Sequence, residues 1–200
     1  MANGALVIAC GALSWELTEL QRRNAWTHLR IRCLPPELHN TPDRIPGAVE
    51  AAVREARETH QQVFVAYADC GTGGLLDRTL AELGVERLPG AHCYELFAGS
   101  PAFAALCDEE PGTFYLTDFL VRHFDRLVIR SLGLDRHPTL RPQYFGHYRR
   151  VVYLAQTESQ ELTALAEQHA RTLGLEFERR YTGLRHVLSA MTDKVVEWRN

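Results

Sequence analysis

Three cysteines of this 200-residue chain stand where short apolar runs end. Cys10 follows Ala5-Leu-Val-Ile-Ala9, Cys70 stands three residues after the end of Val63-Phe-Val-Ala-Tyr67, and Cys93 closes the loop Pro89–Cys93 after Val85–Leu88. If those runs are parallel strands of one sheet, the three thiols meet at its carboxyl rim, where open α/β sheets bind ligands. Three thiolates suit a soft or borderline metal. They could hold Zn²⁺ with a fourth position open, or three irons of a [4Fe–4S] cluster. His39 and His92 are candidate fourth ligands. The spacing contains no Cys-x-x-Cys pair, and free cysteines also serve as small buried hydrophobes. A second chemistry is a nucleophilic Cys70. It sits at a strand-to-helix turn, where a helix N-terminus lowers a thiol pKa, and Asp69, His39 or His92 could act as its base.

The turn after Cys70 reads Gly71-Thr72-Gly73-Gly74 and opens a helix. Its amides could cradle a small anionic substrate or cofactor, although no Gly-Lys-Ser/Thr follows to make a nucleotide phosphate loop. Cys33 and Cys107 are read as packing residues, His60, His169 and His186 as surface positions. The aromatic group Tyr144, Phe145, His147 and Tyr148 is read as a cap on the core.

The elements that must position these residues alternate. Strands are expected at Ala5–Ala9, His28–Leu34, Val63–Tyr67, Val85–Leu88, Gly112–Thr117, Arg150–Ala155 and Leu175–Arg180. Helices are expected from Ser14, over Pro46–Thr59, after Gly74 to Gly84, through Phe97 and Phe103, over Asp118–Leu132, near Gln143–Tyr148, over Ser159–Leu173 and from Thr182, fraying beyond Met191. Leu38–Pro42 reads as a polar loop. The pattern predicts an α/β fold, a mostly parallel, Rossmann-like sheet with helices on both faces. One domain over 1–200 is expected, with two small lobes as the alternative and a boundary near 111, at Pro111-Gly112.

Composition narrows the partners. Net charge is -3, which is not the footprint of a nucleic-acid binder. No run reaches the roughly 18 apolar residues of a bilayer span, and the first ten residues lack the marks of a signal peptide. A cytoplasmic location is expected, where thiols stay reduced, and an odd count of five cysteines argues against a disulfide framework.

Ala9-Cys10-Gly11, Leu38-His39-Asn40-Thr41-Pro42, Tyr67-Ala68-Asp69-Cys70-Gly71, His92-Cys93-Tyr94 with Gly99-Ser100, and Gly112–Thr117 occur in this order. Together they resemble the domain-of-unknown-function family sixteen-thirty-eight, over about Leu6 to Leu188. The resemblance carries Cys10, Cys70, Cys93 and His39 as motif residues. Many members read His-Asp-Cys where this chain has Ala91-His92-Cys93, so it does not carry His92. It implies genes set beside corrinoid-dependent methyltransferases; joined to the soft-ligand argument for the three cysteines, it points to a metal-binding protein, zinc or iron–sulfur, of one-carbon or methyl-transfer metabolism. A non-catalytic accessory protein binding a corrinoid, folate or methyltransferase partner is the alternative, and a metal-free cysteine-dependent hydrolase or transferase a further one. The chain lacks Asp-x-His-x-x-Gly, so a corrinoid held through such a histidine is not expected.

Overall fold

The computed structural model describes residues 3–198. The chain divides into two compact units, one formed by the chain through Leu96 and again from Leu184, the other by Phe97–Gly183. Each has its own three-stranded parallel sheet. The α/β architecture is therefore as expected, carried by two sheets rather than one.

In the first unit, β1 (Asn3–Cys10) leads to α1 (Ser14–Arg23), β2 (Leu29–Leu34), α2 (Ile45–Ala56), β3 (His60–Ala66), α3 (Leu75–Leu83) and α4, which starts at Cys93 (Cys93–Ala98). The strand order is β2-β1-β3. β1 is paired on both edges, and Ala5–Cys10 is buried throughout; this is why its sequence is a continuous apolar run rather than an alternating one. Helix α2 buries Val49, Ala52, Val53 and Ala56, and α3 buries Leu76, Leu80 and Leu83, both at helical spacing.

The order has a consequence for ligands. The chain crosses from β1 to one side to make β2, then back over β1 to make β3. Right-handed crossovers in opposite directions put α1 and α2 on opposite faces, and the crevice between the ends of β1 and β3 is the topological switch point.

The second unit holds α5 (Ser100–Glu109), β4 (Thr113–Thr117), α6 (Asp118–Arg122), α7 (Arg141–Phe145), β5 (Arg150–Ala155), α8 (Gln160–Leu173) and β6 (Glu176–Tyr181). Its strands run in the order β4-β5-β6, so both crossovers go the same way and no switch point arises among them. Ser159 and Thr117 cap α8 and α6 through their side chains. At the rim, Asp118 is wholly buried. It accepts from Tyr153 Oη (2.7 Å), the Gln156 amide (3.0 Å) and Thr157 Oγ1. The last helix, α9 (Arg185–Glu197), returns the chain to the first unit.

Several sequence expectations need correction. Val85–Leu88 is no strand; one bridge, Val65 to Arg87, is all it forms. Leu38–Pro42 is not a loop but lies in two 3-10 turns, Pro36–Asn40 and Pro42–Arg44. The helix through Phe97 and Phe103 is broken at Gly99, whose φ is +83°. The stretch Asp118–Leu132 yields α6 and then a separate π-helical turn, Asp125–Arg130. Helix α2 stops at Ala56, α9 starts at Arg185 rather than Thr182, and α9 runs past Met191 to Glu197. Cys33 is exposed rather than packed, because β2 is an edge strand. His169 is half-buried, its ring stacked on Phe124 at 4.0 Å between centroids.

Candidate metal centre

The carboxyl ends of β1 and β3 bring the site together. Ala9 is paired with Ala66, so the next residues, Cys10 and Tyr67, stand side by side and share a face of the sheet. After Tyr67 the backbone turns sharply. Cys70 has φ +52°, a left-handed conformation rare for a residue with a Cβ, and Gly71, Gly73 and Gly74 follow with φ of +85°, +61° and +80°. Glycine is needed there because the chain reverses within a few residues.

Asp69 holds this turn. Its carboxylate accepts from Thr72 Oγ1 (2.6 Å), the Gly74 amide (2.9 Å) and the Gly73 amide (3.1 Å). Burial raises the Asp69 pKa, but these hydrogen bonds from Thr72, Gly74 and Gly73, with the charge of Arg87, outweigh it and hold the carboxyl below its usual range. Two of the amides proposed to cradle an anion are therefore engaged by the chain's own carboxylate, and Asp69 is committed as a structural acceptor rather than as a base for Cys70.

Cys93 is delivered by the next loop. The Asp69 and Cys70 amides donate to the carbonyls of Gly90 and Ala91, at 3.1 and 2.8 Å. Arg87 braces the loop, bonding Asp77 through Nε (2.6 Å) and Nη2 (2.8 Å) and donating from Nη1 to the Leu88 carbonyl (2.7 Å). Glu95 accepts from the Ala91 amide at 3.0 Å. With the backbone so fixed, Cys93 Sγ lies 3.3 Å from Cys70 Sγ.

His39 comes from the 3-10 turn after β2. Gly11 permits that turn to come close: a Cβ there would lie 2.9 Å from both the Leu34 carbonyl oxygen and Pro36 Cδ. The His39 ring is stacked over Tyr67 (6.2 Å between centroids, 17° between planes). One ligand atom each from His39, Cys70 and Cys93 lie within 4.8 Å of one another. Cys10 is joined to this cluster through His39, its Sγ 3.6 Å from Nδ1, and it also accepts the Ala12 amide at 3.3 Å. His39, Cys70 and Cys93 thus form one cluster, and Cys10 lies against His39. His92 is exposed and stands outside the cluster.

The Cys70 thiol is pushed up strongly, by its hydrogen bond with Cys93, by burial and by the charge of Cys93; His39 opposes this without reversing it. That contradicts the lowered thiol expected of a helix N-terminus. Helix α3 begins only at Leu75, and the effect of a helix end falls off within its first turn. Burial lowers the His39 pKa, but hydrogen bonds to Cys10 and Cys70 and their charges carry it to about 10. A divalent cation among them would favour the deprotonated form of each donor.

Tyr67 was not singled out by sequence reasoning as a site residue. It is fully buried, and among the described residues its hydroxyl makes no hydrogen bond of normal geometry. Burial, then the charge of Cys10 and a hydrogen-bonding contact with its sulfur, then the charges of Cys93 and Cys70, push its pKa up, which places the hydroxyl beside Cys10 and within electrostatic range of the other two sulfurs. The strand register that sets Tyr67 beside Cys10 was the missing signal.

The first unit is thus a parallel α/β unit with a His/Cys/Cys cluster of possible metal ligands at the ends of its strands. The chain belongs to the family described as protein of unknown function DUF1638, whose model matches residues 33–191. His39, Cys70 and Cys93 lie inside that span and Cys10 before it. No curated protein and no solved structure matches the chain.

Proposed function

We propose that the first unit binds one zinc ion through His39, Cys70 and Cys93, with Cys10 holding His39, and that the ion activates a small thiol for methyl or other one-carbon transfer. The observation that carries the reading is the mutual approach of the three donor atoms within 4.8 Å at the crevice where this topology binds ligands. The distances favour one ion over a cluster. Two thiolates on one tetrahedral zinc stand roughly 3.7 Å apart, given Zn–S of about 2.3 Å. The 3.3 Å between Cys70 and Cys93 needs only a small side-chain rotation to match. A cubane puts its cysteines on different irons and so spreads them more widely.

Three protein ligands and an open fourth position are the arrangement of catalytic rather than structural zinc. The soft donor set supports a sulfur substrate. Bound zinc would supply a thiolate at neutral pH. Attack on a methyl donor would form an S–CH₃ bond, and the electron pair of the broken bond would leave with the donor's leaving group. A corrinoid methyltransferase protein is the partner class that this role and the family resemblance suggest.

The test is metal analysis of protein purified without chelators, with Cys70→Ser and Cys93→Ser alongside. About one zinc per folded chain is expected, as for a single mononuclear site, and loss of it in both variants with circular dichroism unchanged. Wild-type protein that is folded and takes up no zinc refutes the reading. Iron with acid-labile sulfide would replace it by a cluster.

A further inference from the structure

The metal reading leaves one polar group beside the cluster unexplained. Tyr67 is 0% exposed, and among the described residues its hydroxyl makes no hydrogen bond of normal geometry, its one neighbour of that kind being the weak acceptor sulfur of Cys10. A buried, unsatisfied hydroxyl destabilises a fold, and phenylalanine of the same shape would avoid the penalty. The hydroxyl is also in a particular place. Tyr67 stands beside Cys10 at the ends of adjacent strands, three residues before Cys70, with its ring over His39. Its hydroxyl and the donor atoms of His39, Cys70 and Cys93 belong to the same rim of the sheet.

Resting on the zinc reading above, we propose that Tyr67 donates its hydroxyl hydrogen to the sulfur of a small thiol bound as thiolate at the open position of the His39–Cys70–Cys93 centre. The ligand must accept a hydrogen bond, so it is anionic or strongly polarised. It must also enter a site walled by the buried residues Cys10, Tyr67 and Cys70, which penalises a ligand that arrives charged. A thiol arrives neutral and ionises on binding, its proton passing to solvent. Water does the same only with more difficulty. Two thiolate ligands cancel the charge of the ion, and a thiol starts near pKa 8.5 against about 15.7 for water. The S–H bond breaks, the metal–sulfur bond forms, and no electrons are exchanged with any other reagent. Tyr67 is then a substrate-positioning donor that touches the reacting atom.

The test uses the full chain loaded with Co²⁺ in place of zinc, titrated with 2-mercaptoethanol while the thiolate-to-cobalt charge-transfer band is followed. Wild-type protein is expected to show the band grow to saturation. Tyr67→Phe is expected to bind Co²⁺ itself within about threefold of wild type. Its thiol affinity should be weaker by about 10- to 100-fold, the range for a hydrogen bond to a charged group. Equal thiol affinity in the two proteins overturns the role of Tyr67. Cobalt bands that the thiol leaves unchanged overturn the thiol ligand while the metal site stands. A wild-type protein that binds no cobalt overturns the metal reading and this inference together.

Discussion

Replacing Asp69 by alanine tests how the site is held in shape. The carboxylate receives three hydrogen bonds, from Thr72 Oγ1 and the Gly74 and Gly73 amides, at 2.6, 2.9 and 3.1 Å. Bonds to a charged acceptor contribute about 1.5–3 kcal/mol each when buried. This carboxylate is half-exposed and water re-solvates the freed donors, so the expected loss is about 2–3 kcal/mol in total. For a chain of this size that is a fall in Tm of roughly 5–10 °C. The site should suffer separately. Cys70 is held at φ +52°, which costs about 1–2 kcal/mol for a residue with a side chain. Without Asp69 the backbone relaxes and Cys70 leaves Cys93. Zinc affinity, measured by competition with a chromophoric chelator, should drop about tenfold, the equivalent of 1.4 kcal/mol. The pH dependence gives a further check. The Asp69 pKa is lowered on folding, so its contribution is complete above the unfolded value near ~3.9 and vanishes as pH falls through the folded one. Wild type and variant should converge in stability at that acid limit. A Tm within about 1 °C of wild type, with unchanged zinc affinity, refutes the claim that Asp69 shapes this turn.

Cys10→Ser should retain zinc with affinity lowered about 10- to 100-fold, the usual effect of removing a ligand's hydrogen-bond partner; complete loss would make Cys10 a ligand instead. Because Cys70 is raised and His39 is carried to about 10, zinc must displace protons, and affinity should climb roughly tenfold or more per pH unit between pH 6 and 8. A flat profile would contradict this. Asp118→Ala strands Tyr153 Oη, the Gln156 amide and Thr157 Oγ1 and should cost about 3–5 kcal/mol in urea unfolding; a loss under about 1 kcal/mol would show that water replaces the carboxylate.

Much of this was written in local pattern. β5 is a run of Val151–Ala155 buried without interruption, and α8 lies between a Ser159 cap and a left-handed Gly174, so each could be read from its own residues. The cysteines could be placed because each follows a strand or its loop. Sheet pairing could not be read, because it is set by contacts distant in sequence; the division into two sheets and the meeting of Tyr67 with Cys10 both depend on it. Val85–Leu88 lies between a helix-ending glycine and a Pro-Gly turn, but only Arg87 bridges to β3, and its side chain bonds Asp77 and the loop carbonyls. The expectation of a lowered Cys70 pKa failed on a distance of five residues, the gap between the thiol and the start of α3.

The first unit is written in two stretches of chain, with the second unit between them. Synthesis runs from the N-terminus, so every ligand of the proposed centre leaves the ribosome before α9 exists. Val187 and Met191, which α9 buries, are not yet there to complete the unit. The second unit emerges whole in the meantime. Chain order and completion order are thus inverted, and a translation product that stops after Gly183 contains a finished second unit attached to a first unit that lacks one helix. Such a product would separate late assembly of the first unit from ligand chemistry, since it carries all four candidate ligands and not the helix that closes their fold.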